Sequence, residues 1–367
     1  MKILHISGAK GWGGNEQQMI DMIPELEKFN IENIVFGVGG SNLQEECSKI
    51  KVTFIPCKKD KLNIFSNYKY LKQLIKQIKP DLLHLHTSDS LTVFTLSDLF
   101  FKLNIPTVFS KKGMGNSSSI LSKFKYNYKN LSAVICVSER VKTEFSQILN
   151  LNNREKLVII YDGVSVARIK EPEYDLQDFL KICKSKIVIG NIANHVRAKD
   201  LSIMILAMNE LINIMNNKNI HLIQIGGFND KITLELKMLV EKLNLQNYVT
   251  FTGFLNNASS FISQFDVYVM SSEREGFPLT IYESFYKKTP VVSTKAGGIP
   301  EIIKDGENGF LVEVKDYEEL AIKINQLIYN QNLKEDFAQK AYDLFVNNYT
   351  TFHCAQKTFN LYKSLTK

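Results

Sequence analysis

Two carboxylates in the segment SSEREGFPLTIYE, Glu275 and Glu283, bracket a turn made of Gly276, Phe277 and Pro278. Proline suits the first position of a helix, where the N–H it lacks would have no partner. The sequence therefore predicts a helix beginning at Pro278, with the amides of Leu279 and Thr280 open to an anion. Glu275 then precedes the helix and Glu283 lies inside it. Acids on either side of an anion seat suit a sugar joined to a diphosphate. The apolar run QFDVYVMSS leads straight into this turn and places both acids at the carboxyl edge of a sheet, where open α/β folds bind ligands. Two solvated acids favoured by the helix dipole are the plainer alternative.

Other segments carry related chemistry. In GNIANHVRAKD the only cations are Arg197 and Lys199, at an expected helix start where the dipole disfavours positive charge unless an anion is near. A departing diphosphate gains most from such charges in a site that excludes water. GAKGWGGNEQQM places Gly8, Gly11, Gly13 and Gly14 between a first strand and a helix, where backbone can approach a phosphate or sugar closely. Dinucleotide binding wants an acid at the end of the second strand, and NIVFGVGG has none. For Gly8 and Gly11, turn geometry alone is an equal explanation. Gly297, Gly298 and Pro300 in TKAGGIPEII form a second, weaker anion nest.

His84 and His86 in DLLHLHTSDS alternate along a strand and share one face. A metal there would need a third ligand that the sequence does not offer, and a core histidine is the usual fate of such a residue. His86 is the nearer to the strand's carboxyl end. The stretch SSSILSKFKYNYKNLS interleaves Lys123, Lys125 and Lys129 with Phe124, Tyr126 and Tyr128. That mixture suits an anionic lipid surface, single-stranded RNA, or an exposed basic helix with some buried aromatics. No Asp-x-Asp pair occurs to seat a carboxylate-held metal.

The elements that must position these groups read as buried parallel strands alternating with amphipathic helices. KILHIS, NIVFGVG, VTFIP, LLHLH, TVFS, AVICVS and LVIIYDG make a first doubly wound sheet. KIVIGNIA, HLIQIGG, VTFTG, DVYVMSS, PVVSTKAGG and GFLVEV make a second, followed by two helical patterns. Between them the stretch from Val166 to Lys186, with Pro172, reads as a linker or hinge. The expected domains are 1–165 and 166–349, with a last helix at about 350–367 returning to the first. Two such sheets facing each other would form a cleft.

The 367 residues exceed what one core usually supports. Residues 1–165 hold 22 Lys and Arg against 15 Asp and Glu, and residues 166–367 hold 23 of each, so the net charge of +7 belongs to the first part. An anionic partner for that part follows: a phosphorylated acceptor, a membrane or a nucleic acid. Five cysteines with no Cys-x-x-Cys pair argue against a disulfide framework or zinc knuckle and fit a reduced cytoplasm. MKILHISGAK reads as a first strand rather than a signal peptide, and no apolar run approaches the roughly 18 residues of a membrane span.

Taken together, the Glu-x7-Glu spacing of Glu275 and Glu283, AGGIPEIIKDGENGFLV, IIYDGV and GGNE resemble the retaining glycosyltransferases of family 4, over nearly the whole chain. The resemblance implies the GT-B fold of two facing Rossmann-like domains and no cofactor or metal. It implies transfer of a sugar from a nucleotide diphosphate sugar, with UDP favoured, to a glycan or lipid-linked acceptor in polysaccharide assembly. By position, Glu283 is expected on the nucleotide ribose and the amides of Leu279 and Thr280, after Pro278, on the diphosphate. Glu275, with Gly276 and Phe277, is expected on the donor sugar, beside His86. Gly13 and Gly14 are expected near the phosphates, Phe254 at the base, and Asn194 and Gly227 in the donor-binding loops. The family's arginine five residues before the diphosphate lysine is Asn194 here, ahead of Lys199, and Arg197 is expected to supply the missing charge. A cytoplasmic enzyme, peripheral at the inner membrane face through its basic half and without nucleic acid, is the expectation. A GT-B epimerase or hydrolase, or a catalytically silent nucleotide-sugar binder, is the alternative.

Overall fold

The computed structural model describes residues 1–113 and 119–366. It forms two compact units. One comprises Met1–Ser165 with Thr350–Lys367, and the other Val166–Tyr349.

The first unit is a seven-stranded parallel sheet of β1 (Lys2–Ser7), β2 (Glu32–Gly37), β3 (Thr53–Pro56), β4 (Leu82–Leu85), β5 (Thr107–Lys111), β6 (Ala133–Cys136) and β7 (Leu157–Ile159). Their order across the sheet is β3-β2-β1-β4-β5-β6-β7. Chain direction around the sheet reverses between β1 and β4, where His5 lies opposite His84 in register. Strands such as AVIC and LLHL are buried along their whole length, as a sheet covered by helices on both faces requires.

The second unit repeats the pattern with β8 (Ile187–Ile192), β9 (Ile220–Ile225), β10 (Val249–Gly253), β11 (Val267–Met270), β12 (Val291–Thr294) and β13 (Phe310–Val312). Its order is β10-β9-β8-β11-β12-β13, all parallel, with the reversal between β8 and β11. All thirteen apolar runs of the sequence became strands, because each is a short apolar run closed by turn residues. The core of this unit runs from Ile189 and Val267 through the helix Leu201–Asn209 to Leu320, Ile324 and Phe337.

Three helices follow β13 rather than the two read from the pattern: Tyr317–Ile328, Gln331–Asn348 and Thr351–Leu365. The last belongs to the first unit. Cys354, Ala355 and Tyr362 share a core with Met22, Leu26 and Ile31, and Phe359 stacks on Phe29 at 4.9 Å. It enters beside Gly163 of IIYDGV, where a Cβ would stand 2.4 Å from the Thr350 carbonyl oxygen, so glycine is needed for close approach.

Val166–Lys186 is not a bare hinge. Leu176 is fully buried, its N–H donates to Gln264 Oε1 at 2.7 Å, and Tyr174 packs on Phe261. The basic aromatic stretch also divides. Tyr126 and Tyr128 are buried, and the Lys125 ammonium donates to Ser88 Oγ and Thr92 Oγ1 at 2.6 and 3.0 Å. Ser119, Ile120, Leu121, Lys123, Phe124, Lys129 and Asn130 are exposed, while Ser117 and Ser118 lie outside the described residues. Among the described residues, no helix is long and apolar enough to cross a membrane.

Candidate active site

In the second unit the groups singled out from the sequence gather at the carboxyl ends of β8 and β11. Pro278 is the residue before the helix Leu279–Tyr286 rather than its first. Its extended ψ of 114° turns the chain, and its carbonyl accepts from Ile281 N–H at 3.2 Å. No side chain caps this helix. Its first amides remain directed at whatever lies before them.

On one side of the turn, Glu275 Oε1 accepts from Lys199 Nζ and from Ser272 Oγ, each at 2.6 Å. The carboxylate is nearly buried and the lysine about a quarter exposed. Lys199 is delivered there because the Ala198 carbonyl accepts from Glu273 N–H at 2.9 Å and the Lys199 carbonyl accepts from Ser271 Oγ at 3.2 Å. On the other side, the buried Glu283 pairs with Arg168 at 2.8 Å. Arg168 comes from the one-turn helix Val166–Arg168 at the start of the unit, and nothing in its neighbourhood of sequence signals it. Each acid thus holds one cation, with an uncapped helix start between them.

Asn194 has a different task. Its Oδ1 accepts from Gly227 N–H at 2.8 Å, while the Gly227 carbonyl accepts from His195 N–H at 2.9 Å. The side chain fastens the β8 loop to the β9 loop. At the neighbouring Gly226, a Cβ would meet the Ala193 carbonyl oxygen at 1.9 Å. Arg197 is not at Glu275. It lines an open pocket of about 280 Å³ with Glu235, Glu273 and Lys315. Phe254, after β10, is 74% exposed and offers a free ring face. Gly297, in the left-handed region at φ +56°, precedes only the three-residue turn Ile299–Glu301, too short for a helical anion nest. Buried Tyr268 beneath this edge has its phenol pushed up by burial, then by the charges of Glu283 and Glu275.

In the first unit, β1 ends at Ser7 and β4 at Leu85. Gly8 N–H donates to Thr87 Oγ1 at 2.9 Å, and a Cβ there would lie 2.9 Å from Asp89 Cβ. Gly8 is therefore fixed by packing, whereas a Cβ at Gly11 would meet nothing. Gly13 caps the helix Gly14–Glu27, again with no side-chain cap. Glu16 in its first turn has its carboxyl pushed up by burial.

The third histidine missing from the sequence reading is His5. Ligand nitrogens of His5, His84 and His86 all lie within 4.8 Å of one another, and all three rings are buried. They serve as hydrogen-bonding groups. His84 bonds Tyr362 Oη at 2.5 Å and Ser110 Oγ at 2.7 Å, and His5 bonds Asn33 Oδ1 and His86 Nε2, both at 3.0 Å. His5, paired with His84 across two strands 79 residues apart, carries no local signal. Beside them lies a water-sized cavity of about 10 Å³ lined by Asn15, Gln18, His86, Lys112 and Asp162. Lys112 and Asp162 form an ion pair there.

Two parallel Rossmann-like units, each with polar groups at the point where the strand order reverses, define a doubly wound α/β protein. The structure matches that of HepE from Anabaena, solved with UDP and glucose, with a TM-score of 0.85, 22% identity and full coverage of both chains. The fold is GT-B. The family model described as glycosyl transferases group 1 matches residues 175–344, and that of glycosyltransferase family 4 matches residues 12–168. An uncharacterized glycosyltransferase of Methanocaldococcus jannaschii is 28% identical over 82% of this chain and 80% of its own. A capsular polysaccharide biosynthesis glycosyltransferase of Staphylococcus aureus is 22% identical over 95% of this chain and 94% of its own. The chain is a GT-B glycosyltransferase like those of group 1 and family 4, each of whose models matches one part of it.

Proposed function

We propose that the protein moves a hexose from a nucleotide diphosphate sugar, UDP favoured, to an acceptor hydroxyl, with retention at the anomeric carbon and without a metal. The observation that carries this reading is the pair of buried acids, Glu275 with Lys199 and Glu283 with Arg168, on either side of an uncapped helix start. Glu283 takes the ribose hydroxyls and Phe254 the base. The amides of Leu279 and Thr280 take the diphosphate, and Glu275 with Gly276 and Phe277 takes the sugar. In the first unit, His86 is proposed to meet a sugar hydroxyl, and Gly13 and Gly14 to offer backbone to a phosphate.

Lys199 carries the charge that balances the departing diphosphate, and the helix amides add to it. The leaving group accepts the proton of the attacking hydroxyl, so no carboxylate need form a bond to the sugar. A polysaccharide or lipid-linked glycan is the proposed acceptor. The role of the capsular relative and the basic first unit support it, and its site would lie at the inner membrane face.

A silent binding protein is the second reading, favoured by Asn194 being tied to Gly227 and Arg197 lining another pocket. One experiment separates the two. A thermal-shift screen of nucleotide diphosphates and nucleotide sugars identifies the donor, since a ligand held only by the folded state stabilises it. That donor is then incubated with acceptor extracts with and without EDTA, and the anomeric configuration of the product is read by NMR. Transfer with retention, unchanged by EDTA, is the expected result. Binding with no product from any acceptor supports the silent reading, and turnover of donor alone indicates an epimerase or hydrolase.

A further inference from the structure

The histidine cluster specifies more than a packed core. Five of its six ring nitrogens already engage protein partners: Asn33, Tyr362, Ser110 and, for His5 and His86, each other. A metal would have to break those bonds. The directions of the bonds can be worked out from one end. Asn33 Nδ2 donates to the Ile31 carbonyl at 3.2 Å, which orients the amide and leaves Oδ1 facing His5. An amide oxygen only accepts, so His5 Nε2 carries a proton.

Burial holds the His5 imidazolium pKa down at about 4, so the ring is neutral near pH 7 and its Nδ1 has a lone pair. His86 Nε2, 3.0 Å away, must then donate. Burial, and next the neighbouring His84 and His5, keep His86 neutral as well. Its other nitrogen, Nδ1, bears a lone pair and no proton, and among the described residues no hydrogen bond reaches it. The backbone of His86 is fixed too, since Asn15 Nδ2 donates to its carbonyl at 2.9 Å and its N–H donates to the Ile6 carbonyl at 3.0 Å.

We propose that Asn33 and His5 are positioning residues that lock His86 in its Nε2–H tautomer, so that His86 offers Nδ1 to substrate purely as an acceptor of a hydroxyl proton. Such a group selects a sugar hydroxyl and rejects a phosphate or carboxylate oxygen, which brings no proton. The selectivity is set two residues away from the ligand, as second-layer partners set the tautomer of catalytic or metal-bound histidines elsewhere. The substrate part of this inference rests on the proposed role of His86 in meeting a sugar hydroxyl.

The test is two-bond 15N–1H correlation NMR of the histidine rings in the whole protein at pH 7.5, with His86 assigned from His86→Gln. The wild type should show His86 protonated on Nε2. Asn33→Leu and His5→Phe should each convert it to a mixture of tautomers, whereas Asn33→Asp, which still accepts from His5, should preserve it. The two disruptive variants should lower kcat roughly tenfold or more with little change in donor binding, and Asn33→Asp should retain transfer. A wild-type His86 protonated on Nδ1, a His86 signal unmoved in folded Asn33→Leu, or stoichiometric zinc on the cluster would each overturn the proposal. Full activity in His86→Ala would instead remove His86 from the sugar site, a failure of the functional reading that the NMR result does not share.

Discussion

Glu275 is the residue on which the functional reading turns, and its environment ranks its neighbours. Lys199 touches it and Arg197 does not, so the two cations that looked equivalent in VRAKD should behave differently. Glu275→Ala is expected to lower transfer at least 100-fold, comparable to loss of one preorganised transition-state group. Lys199→Ala should approach that loss, and Arg197→Ala should stay within about fivefold. Steady-state rates with matched circular dichroism spectra check the order, and an Arg197→Ala loss equal to that of Lys199→Ala would restore Arg197 as the compensating charge. The two acids were legible in the sequence because their relation is local, one turn and one helix. Their partners were not. Lys199 is 76 residues from Glu275, Arg168 is 115 from Glu283, and His5 is 81 from His86. Only the sheet order brings such pairs together, and pattern reading does not supply it.

At the scale of elements, the strands were legible because parallel strands buried on both faces leave unbroken apolar runs. Helix beginnings and the stretch Val166–Lys186 were less so. A short polar segment with a proline looks like a linker whether or not one leucine in it, here Leu176, is buried. The junction of the last helix makes a sharper case. Gly163 sits against the Thr350 carbonyl, which the backbone cannot move without shifting the parallel bridge between Val164 and Thr350. Gly163→Ala is expected to destabilise the first unit by about 2–3 kcal/mol, the upper range for overpacking against a rigid neighbour. Denaturant titration followed by hydrogen exchange along Thr351–Leu365 measures it. Unchanged exchange would mean that the junction has slack.

For the molecule as a whole, all six histidines have imidazolium pKa values below the ordinary 6.5, in each case because of burial first. His5 and His221 are both near 4. Between those values and 6.5 the unfolded chain binds more protons than the folded one, so stability rises with pH through that window. It is fully present above about pH 6.5 and is lost progressively as pH falls toward 4. Apparent Tm should therefore fall by roughly 5 °C or more between pH 7 and pH 5. Differential scanning calorimetry decides this, and a flat Tm across the interval would show that the imidazoles charge without unfolding.

The placement of residues 350–367 in the first unit has a consequence for biosynthesis. Those residues leave the ribosome only after the entire second unit, which can close around its own core as soon as Tyr349 is free. The first unit begins translation first and is finished last, with Met22, Leu26 and Ile31 lacking their cover until Cys354, Ala355 and Tyr362 arrive. A nascent chain halted anywhere in residues 166–349 therefore presents an apolar surface to chaperones for as long as the halt lasts.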